Sequence, residues 1–210
     1  IDAGVEAVVL CPVDPETITE GLELLKDAGI PVVNLDVRVN DTDLTDAFVG
    51  ADDYNAGHVC GENLRLKLPE GGKLVIVECP EISSINERIT GFEESVRNAG
   101  FEVVTRISAG REESDVQGEM SRILEESADI DAVMCGDDRM AVQVLEALET
   151  AGRSDILVYS VDGSPAIKTA IADPESPMEG VGALSPINMG KTVVKTASAI
   201  LDKGVYETEI

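Results

Sequence analysis

Short apolar runs alternate along almost the whole chain with longer stretches whose apolar residues fall three and four apart, and this exchange of periods leaves few folds open. The segment from Asp129 to Gly152 shows the unit. Ile130 to Cys135 is mostly apolar and bounded by polar residues, as suits a strand buried on both faces of a parallel sheet. Beyond it the period changes: Met140, Val144, Leu145 and Leu148 share one helical face, and Gly152 stands where helices commonly stop. Asp137 and Asp138 therefore lie between a strand's carboxyl end and a helix, on the edge of an open α/β sheet where ligands bind.

The same reading predicts strands at Val5 to Cys11, Ile30 to Leu35, Phe48 to Ala51, Lys73 to Cys79, Phe101 to Ile107, Ile156 to Val161 and Val181 to Leu184. Helices are predicted from Pro15 toward Gly29, with Asp14 as cap, then at Asp52 to Leu68, Ser83 to Ala99, Glu112 to Ser127, Ser164 to Ala172 and Ile187 to Leu201. Such alternation specifies an α/β class with doubly wound parallel sheets. The polar loop from Arg38 to Asp46 and the short strand after it interrupt two βα series, as a crossover between two lobes would.

A chain of 210 residues suffices for one large α/β domain or two small ones. Its 41 acidic against 16 basic residues give a formal net charge of -25, a surface that repels phosphate backbones and excludes nucleic acid as a partner. No run approaches the roughly 20 apolar residues of a membrane span. The sequence opens at Ile1 in mid-pattern and reads as a fragment, so targeting signals are not decided by it. Cys11, Cys60, Cys79 and Cys135 are too scattered for a zinc knuckle or a redox pair and read as buried structural thiols.

Strands end at Cys11, Asp36, Cys79, Asp137 with Asp138, and Asp162, and a parallel sheet gathers several such ends at its switch point. Asn86, Arg88 and Arg111 open or precede neighbouring helices. Carboxylates that accept from hydroxyls, beside an arginine fork that donates, can hold a polyol without altering it. Each aspartate also has a reading as a helix N-cap; that reading is preferred for Asp138, and ligand contact for Asp36, Asp137 and Asp162. His58 falls inside a helix and reads as a packed or surface residue. No phosphate-cradling glycine loop, nucleophile elbow or metalloprotease pair is present, and no cofactor or metal is expected. The run Asn40, Asp41, Asp43, Asp46 lacks the glycine and closing glutamate of an EF-hand. A receiver domain would need a lysine just after its last strand, and Lys168 sits too far into its helix.

With the strand ends placed, several motifs carry a resemblance: Pro12-Val13-Asp14 with Ala28-Gly29-Ile30-Pro31-Val32-Val33 and Asp36; Val49-Gly50-Ala51-Asp52-Asp53-Tyr54-Asn55-Ala56-Gly57; Arg88-Ile89-Thr90-Gly91-Phe92; Asp131-Ala132-Val133 through Met140-Ala141; and Val161-Asp162-Gly163-Ser164-Pro165. The chain resembles, over essentially its whole length, the ribose-type sugar-binding proteins, the type I solute-binding family of ABC transporters. The resemblance implies two lobes joined by three chain crossings, with the ligand cleft between them. On that plan residues 1–51 and 186–210 form a partial first lobe, and 52–185 the second.

The resemblance also implies roles. Asp36 and Asp162 match positions that bind sugar hydroxyls, and Asp137 stands where asparagine is frequent. Cys11 replaces a usual asparagine, Val37 an arginine, Asn86 an arginine and Leu184 a glutamine, while Arg111 falls where an aromatic ring stacks on the sugar. Such a pocket keeps its acceptors and loses part of its donors, which points to another sugar, a polyol or a cationic ligand. The implied function is extracytoplasmic, periplasmic or lipid-anchored: capture of a small polyhydroxylated solute for an ABC permease, without catalysis. The alternative is a sensor with the same fold, in a lactose-repressor-like regulator or a membrane receptor; a doubly wound enzyme ranks third.

Overall fold

The computed structural model describes residues 1–15, 17–110, 114–127 and 129–210. They form two compact units, residues 1–51 with 185–210 (unit 1) and residues 52–184 (unit 2).

Unit 1 holds β1 (Val8–Leu10), α1 (Thr19–Asp27), β2 (Val32–Leu35), β3 (Ala47–Val49) and a C-terminal helix, Pro186–Leu201. The strands pair in parallel in the order β1-β2-β3, with Val8 opposite Val32 and Val33 opposite Ala47. Val33, Ala47, Val49 and Val193 make one small core; Leu22, Val32 and Val39 make another.

Three features of unit 1 depart from the sequence reading. The first strand is shorter than predicted and leaves Val5 exposed, since its pairing with β2 begins only at Val8. The first helix starts at Thr19, and Asp14 does not cap it. Ile18 stands at the N-cap with no side-chain cap bond, and Pro15 lies in a turn outside the helix. The C-terminal segment also runs parallel along β3, which periodicity did not reveal: Phe48 N donates to Thr208 O at 2.9 Å, and Gly50 N to Ile210 O at 2.9 Å.

Unit 2 continues with α2 (Asp53–Lys67), β4 (Gly72–Glu78), α3 (Ser83–Val96), β5 (Phe101–Ser108), α4 (Val116–Glu126), β6 (Ala132–Cys135), α5 (Asp138–Ala151), β7 (Leu157–Asp162), α6 (Pro165–Ala172) and β8 (Met178–Ala183). Every predicted element is present within a few residues of its expected bounds. The fourth helix begins at Val116 because Asp115 caps it, its carboxylate accepting from Gly118 N at 2.8 Å.

The sheet of unit 2 is parallel throughout, in the order β5-β4-β6-β7-β8. The chain moves outward from β4 to β5 and then returns to lay β6 on the other side of β4, so the switch point lies between β4 and β6. The inner strands are buried over most of their length: Leu74 to Val77, Ala132 to Cys135, and Val158 to Val161 face helices on both sides.

Cys60, Cys79 and Cys135 are buried, but Cys11 is exposed, because β1 ends at Leu10 and the chain after it turns along the surface. The reading of all four as buried thiols is corrected at that residue.

Candidate functional site

Packing between α2 and α3 decides where the charges of unit 2 sit. Gly57 and Gly91 let these helices touch backbone to backbone: a Cβ at Gly57 would lie 1.8 Å from the Arg88 carbonyl oxygen, and one at Gly91 2.0 Å from that of Tyr54. Only glycine permits such an approach. It brings Asp53, one turn before Gly57, against Arg88 on the third helix. Arg88 Nε donates to Asp53 Oδ1 at 2.7 Å, in a pair whose side chains are 8% and 7% exposed.

The rest of the guanidinium reaches the switch point. Its Nη1 donates to the Gly136 carbonyl at 3.0 Å, just beyond β6, and lies 3.0 Å from Asp162 Oδ1 at the end of β7. Burial opposes charge on Arg88, yet Asp162, Asp53 and Asp137 together hold its pKa above the ordinary value. Asp162 is different: its side chain is 41% exposed. Burial pushes its pKa up to about 6; Arg88 works against that rise, and the negative charges of Asp138 and Asp137 add to it.

The cap of α5 is Asp137 and not Asp138, the residue that the sequence reading preferred for it. Asp137 is the N-cap, its Oδ1 accepting from Met140 N at 2.8 Å. Asp138 is buried in the first turn of α5 and accepts from Ser160 Oγ at 2.6 Å and Gly163 N at 3.0 Å, and also from Ser164 N. The reason is conformational: Asp137 has the extended backbone of a cap residue (φ -148, ψ 168). Asp138, one residue on, is already helical and turned toward β7.

The remaining sequence candidates are not all drawn into this cluster. Asn86 is exposed and donates its amide to the Pro80 carbonyl at 3.0 Å. Leu184 packs on the core of unit 2, and its backbone N–H donates to the Asp162 carbonyl at 3.2 Å. Arg111 lies outside the described residues. His58 is on α2, with its ring stacked on Tyr54 at 5.9 Å between centroids.

In unit 1, Asp36 is exposed at the end of β2 in a left-handed conformation, φ 63. Buried Asn34 shapes that turn: its Nδ2 donates to Leu10 O at 3.1 Å and Val37 O at 2.8 Å, and its Oδ1 accepts from Val39 N at 3.0 Å. Cys11 follows the Leu10 carbonyl that Asn34 holds.

Sequence reasoning missed Asp53 and Asn34 as organising residues. The signal for Asn34 was available, since a polar side chain inside the apolar run Val32-Val33-Asn34-Leu35 needs buried partners.

Chemically, the cluster of unit 2 offers hydrogen-bond acceptors with one deeply held cation behind them. Hydroxyl groups of a neutral ligand complement it. The Cys135 thiol nearby is fully buried, and burial, with the charges of Asp137 and Asp138, raises its pKa well above the ordinary value, so it stays protonated and unreactive. Among the described residues no group of three or more His, Cys, Asp or Glu is placed to hold a metal ion. A groove of about 620 Å³ between α5 and α6, lined among others by Leu145 and Ala170, contains none of the candidate residues.

Against known proteins, a family profile described as a periplasmic binding protein domain matches residues 1–204. The ribose import binding protein of Escherichia coli (strain K12) is 27% identical over 199 residues, covering 94% of this chain and 66% of that protein. The chain thus spans slightly less than two thirds of that relative's length. Among solved structures, the periplasmic binding protein of the arabinose ABC transporter from Shewanella sp. ANA-3, bound to L-arabinofuranose, superposes with a TM-score of 0.89 at 25% identity over 100% of this chain and 72% of that one. The fructose-binding periplasmic domain of the hybrid two-component system BT1754 gives a TM-score of 0.82 at 24% identity, covering 100% and 70% respectively.

Proposed function

We propose that this chain, which belongs to the family of periplasmic binding protein domains, captures a small polyhydroxylated solute, a sugar or polyol, outside the cytoplasm and presents it to an ABC permease. The observation that carries this reading is the pair of partly accessible carboxylates, Asp137 and Asp162, gathered around Arg88 at the sheet's switch point. Asp36, at the end of β2, is proposed as a further acceptor for ligand hydroxyls. Each carboxylate accepts from ligand hydroxyls, and Arg88, committed to Asp53, Gly136 and Asp162, places a positive charge behind the cluster. Asn86, Leu184, Cys11 and Arg111 are proposed as lesser, specificity-shaping contacts. No helix among the described residues is long and apolar enough to cross a membrane, and the family's relatives are named for binding and import rather than for a reaction. We therefore read the protein as non-enzymatic.

A second reading has one observation in its favour: the same fold serves as the fructose-binding domain of a hybrid two-component system. In that case the bound solute would drive signalling rather than import.

A thermal-shift screen of the intact protein against pentoses, hexoses, polyols, nucleosides and amines tests the proposal. Ligand at about 100 times its dissociation constant adds about 2.7 kcal/mol of stability, a shift easily read. The expected result is a sugar or polyol hit that weakens in Asp36→Ala and in Asp162→Ala. A screen in which no sugar or polyol shifts the melt sinks the reading.

A further inference from the structure

We propose that Asp138 is a positioning residue of the ligand site: without touching the ligand, it holds the Asp162 strand end in place and fixes the spacing between the Asp137 and Asp162 carboxylates. The inference rests on the reading that those two carboxylates take ligand hydroxyls.

Its basis is where the hydrogen bonds of Asp138 go. Ser160, Gly163 and Ser164, its three donors, lie on both sides of Asp162 in one short stretch of chain. Asp162 itself has φ 128, a region that a residue with a side chain enters only when its surroundings over-determine it. Two ties supply that constraint. Leu184 N donates to the Asp162 carbonyl at 3.2 Å, and Asp138 Oδ2 accepts from both N–H groups that follow Asp162. Successive N–H groups converging on one anion form a backbone nest, here filled by a carboxylate of the protein itself.

A carboxylate suits the task because both its oxygens can accept, and all three partners donate. It is 5% exposed, so water does not readily replace it. Asp138 also adjoins Asp137 in the chain, and Asp137 is fixed in turn by capping Met140 N. One buried side chain thereby ties the end of β6 to the end of β7, and the two accessible carboxylates ride on those ends. Release of this tie lets Asp162 relax toward an ordinary backbone angle and swings its carboxylate away from Arg88.

The test uses Asp138→Ala, Asp138→Asn and the milder Ser160→Ala in the intact protein, with amide hydrogen exchange at Gly163 and Ser164 read without ligand and affinity read with D-ribose, L-arabinose and xylitol. Asparagine can keep an oxygen on the two backbone N–H groups while its amide donates to the Ser160 hydroxyl, which can also accept, so it should rescue. Expected for Asp138→Ala is exchange at both amides faster by about tenfold or more and a comparable loss of affinity, with Asp138→Asn within about threefold of wild type in both. If Asp138→Ala does not fold, Ser160→Ala, which removes one donor, should still speed exchange at these amides measurably. Unchanged exchange in the variants that fold overturns the proposal, and so does an affinity loss without faster exchange or an asparagine variant as impaired as alanine. If wild type binds none of the three probes, the pentose and polyol reading is what fails, and the exchange rates by themselves decide whether Asp138 holds this strand end.

Discussion

Replacing Arg88 by methionine keeps an unbranched side chain in the space and removes the cation together with its hydrogen bonds to Asp53 and the Gly136 carbonyl. Asp53, 7% exposed and bonded to Arg88 Nε at 2.7 Å, loses that cation. Breaking a buried pair from one side costs about 3–5 kcal/mol. Asp162, with its side chain 41% exposed, adds little to that figure because water takes over the lost partner. At about 2–4 °C per kcal/mol or more for units of this size, the melting temperature at pH 7.5 should fall by about 10 °C. The deficit should shrink with acid. A buried carboxylate that loses its cation has its folded-state pKa raised, and a raised pKa contributes stability that is present at low pH and lost as pH climbs through the folded value. Thermal melts of wild type and Arg88→Met at pH 7.5 and pH 5 read both effects, and adding Asp53→Leu should recover part of the loss. A deficit below about 1 kcal/mol, or one equal at the two pH values, would refute the account of Arg88 as the buried counter-ion of this cluster.

Asp162→Asn should raise the melting temperature above pH 6 while weakening ligand binding. The wild-type carboxyl, pushed up to about 6 mainly by burial, is a liability once ionised, so a lower melting temperature for the variant at pH 7.5 would contradict this. Gly57→Ala forces a Cβ to within 1.8 Å of the Arg88 carbonyl oxygen, so α2 and α3 must part. The expected cost, read by urea unfolding, is at the upper end of about 1–3 kcal/mol, and a variant as stable as wild type would mean the helices are not so close. A thiol reagent should modify Cys11 rapidly in the native protein and Cys60, Cys79 and Cys135 only on unfolding; a second fast thiol would show that one of those three buried positions is open.

The elements were legible because each signal is local. The apolar run of β6, the stripe on α5 and the stop at Gly152 sit within two dozen residues, and the alternation they exemplify specified the parallel sheets. The site was legible only where strand ends advertise it, at Asp36, Asp137 and Asp162. The division of labour between Asp137 and Asp138 was not, because adjacent aspartates before a helix are equally good caps on paper and only the backbone conformation decides which one caps. The Asp53–Arg88 pair spans 35 residues and depends on Gly57 and Gly91, whose role emerges only once two helices are packed. The start of α1 departs from the cap-and-proline signal at Asp14-Pro15, since the helix begins at Thr19 behind an Ile18 that makes no side-chain cap bond.

The most direct test of the central claim is calorimetric titration of the sugar or polyol found in the screen into wild type and Asp162→Ala at pH 7.5. Saturable binding to wild type that weakens by about tenfold or more in the variant is the result expected when a carboxylate accepts ligand hydroxyls. Equal affinities for the two proteins would place the ligand elsewhere and contradict the assignment of these strand ends as the binding site.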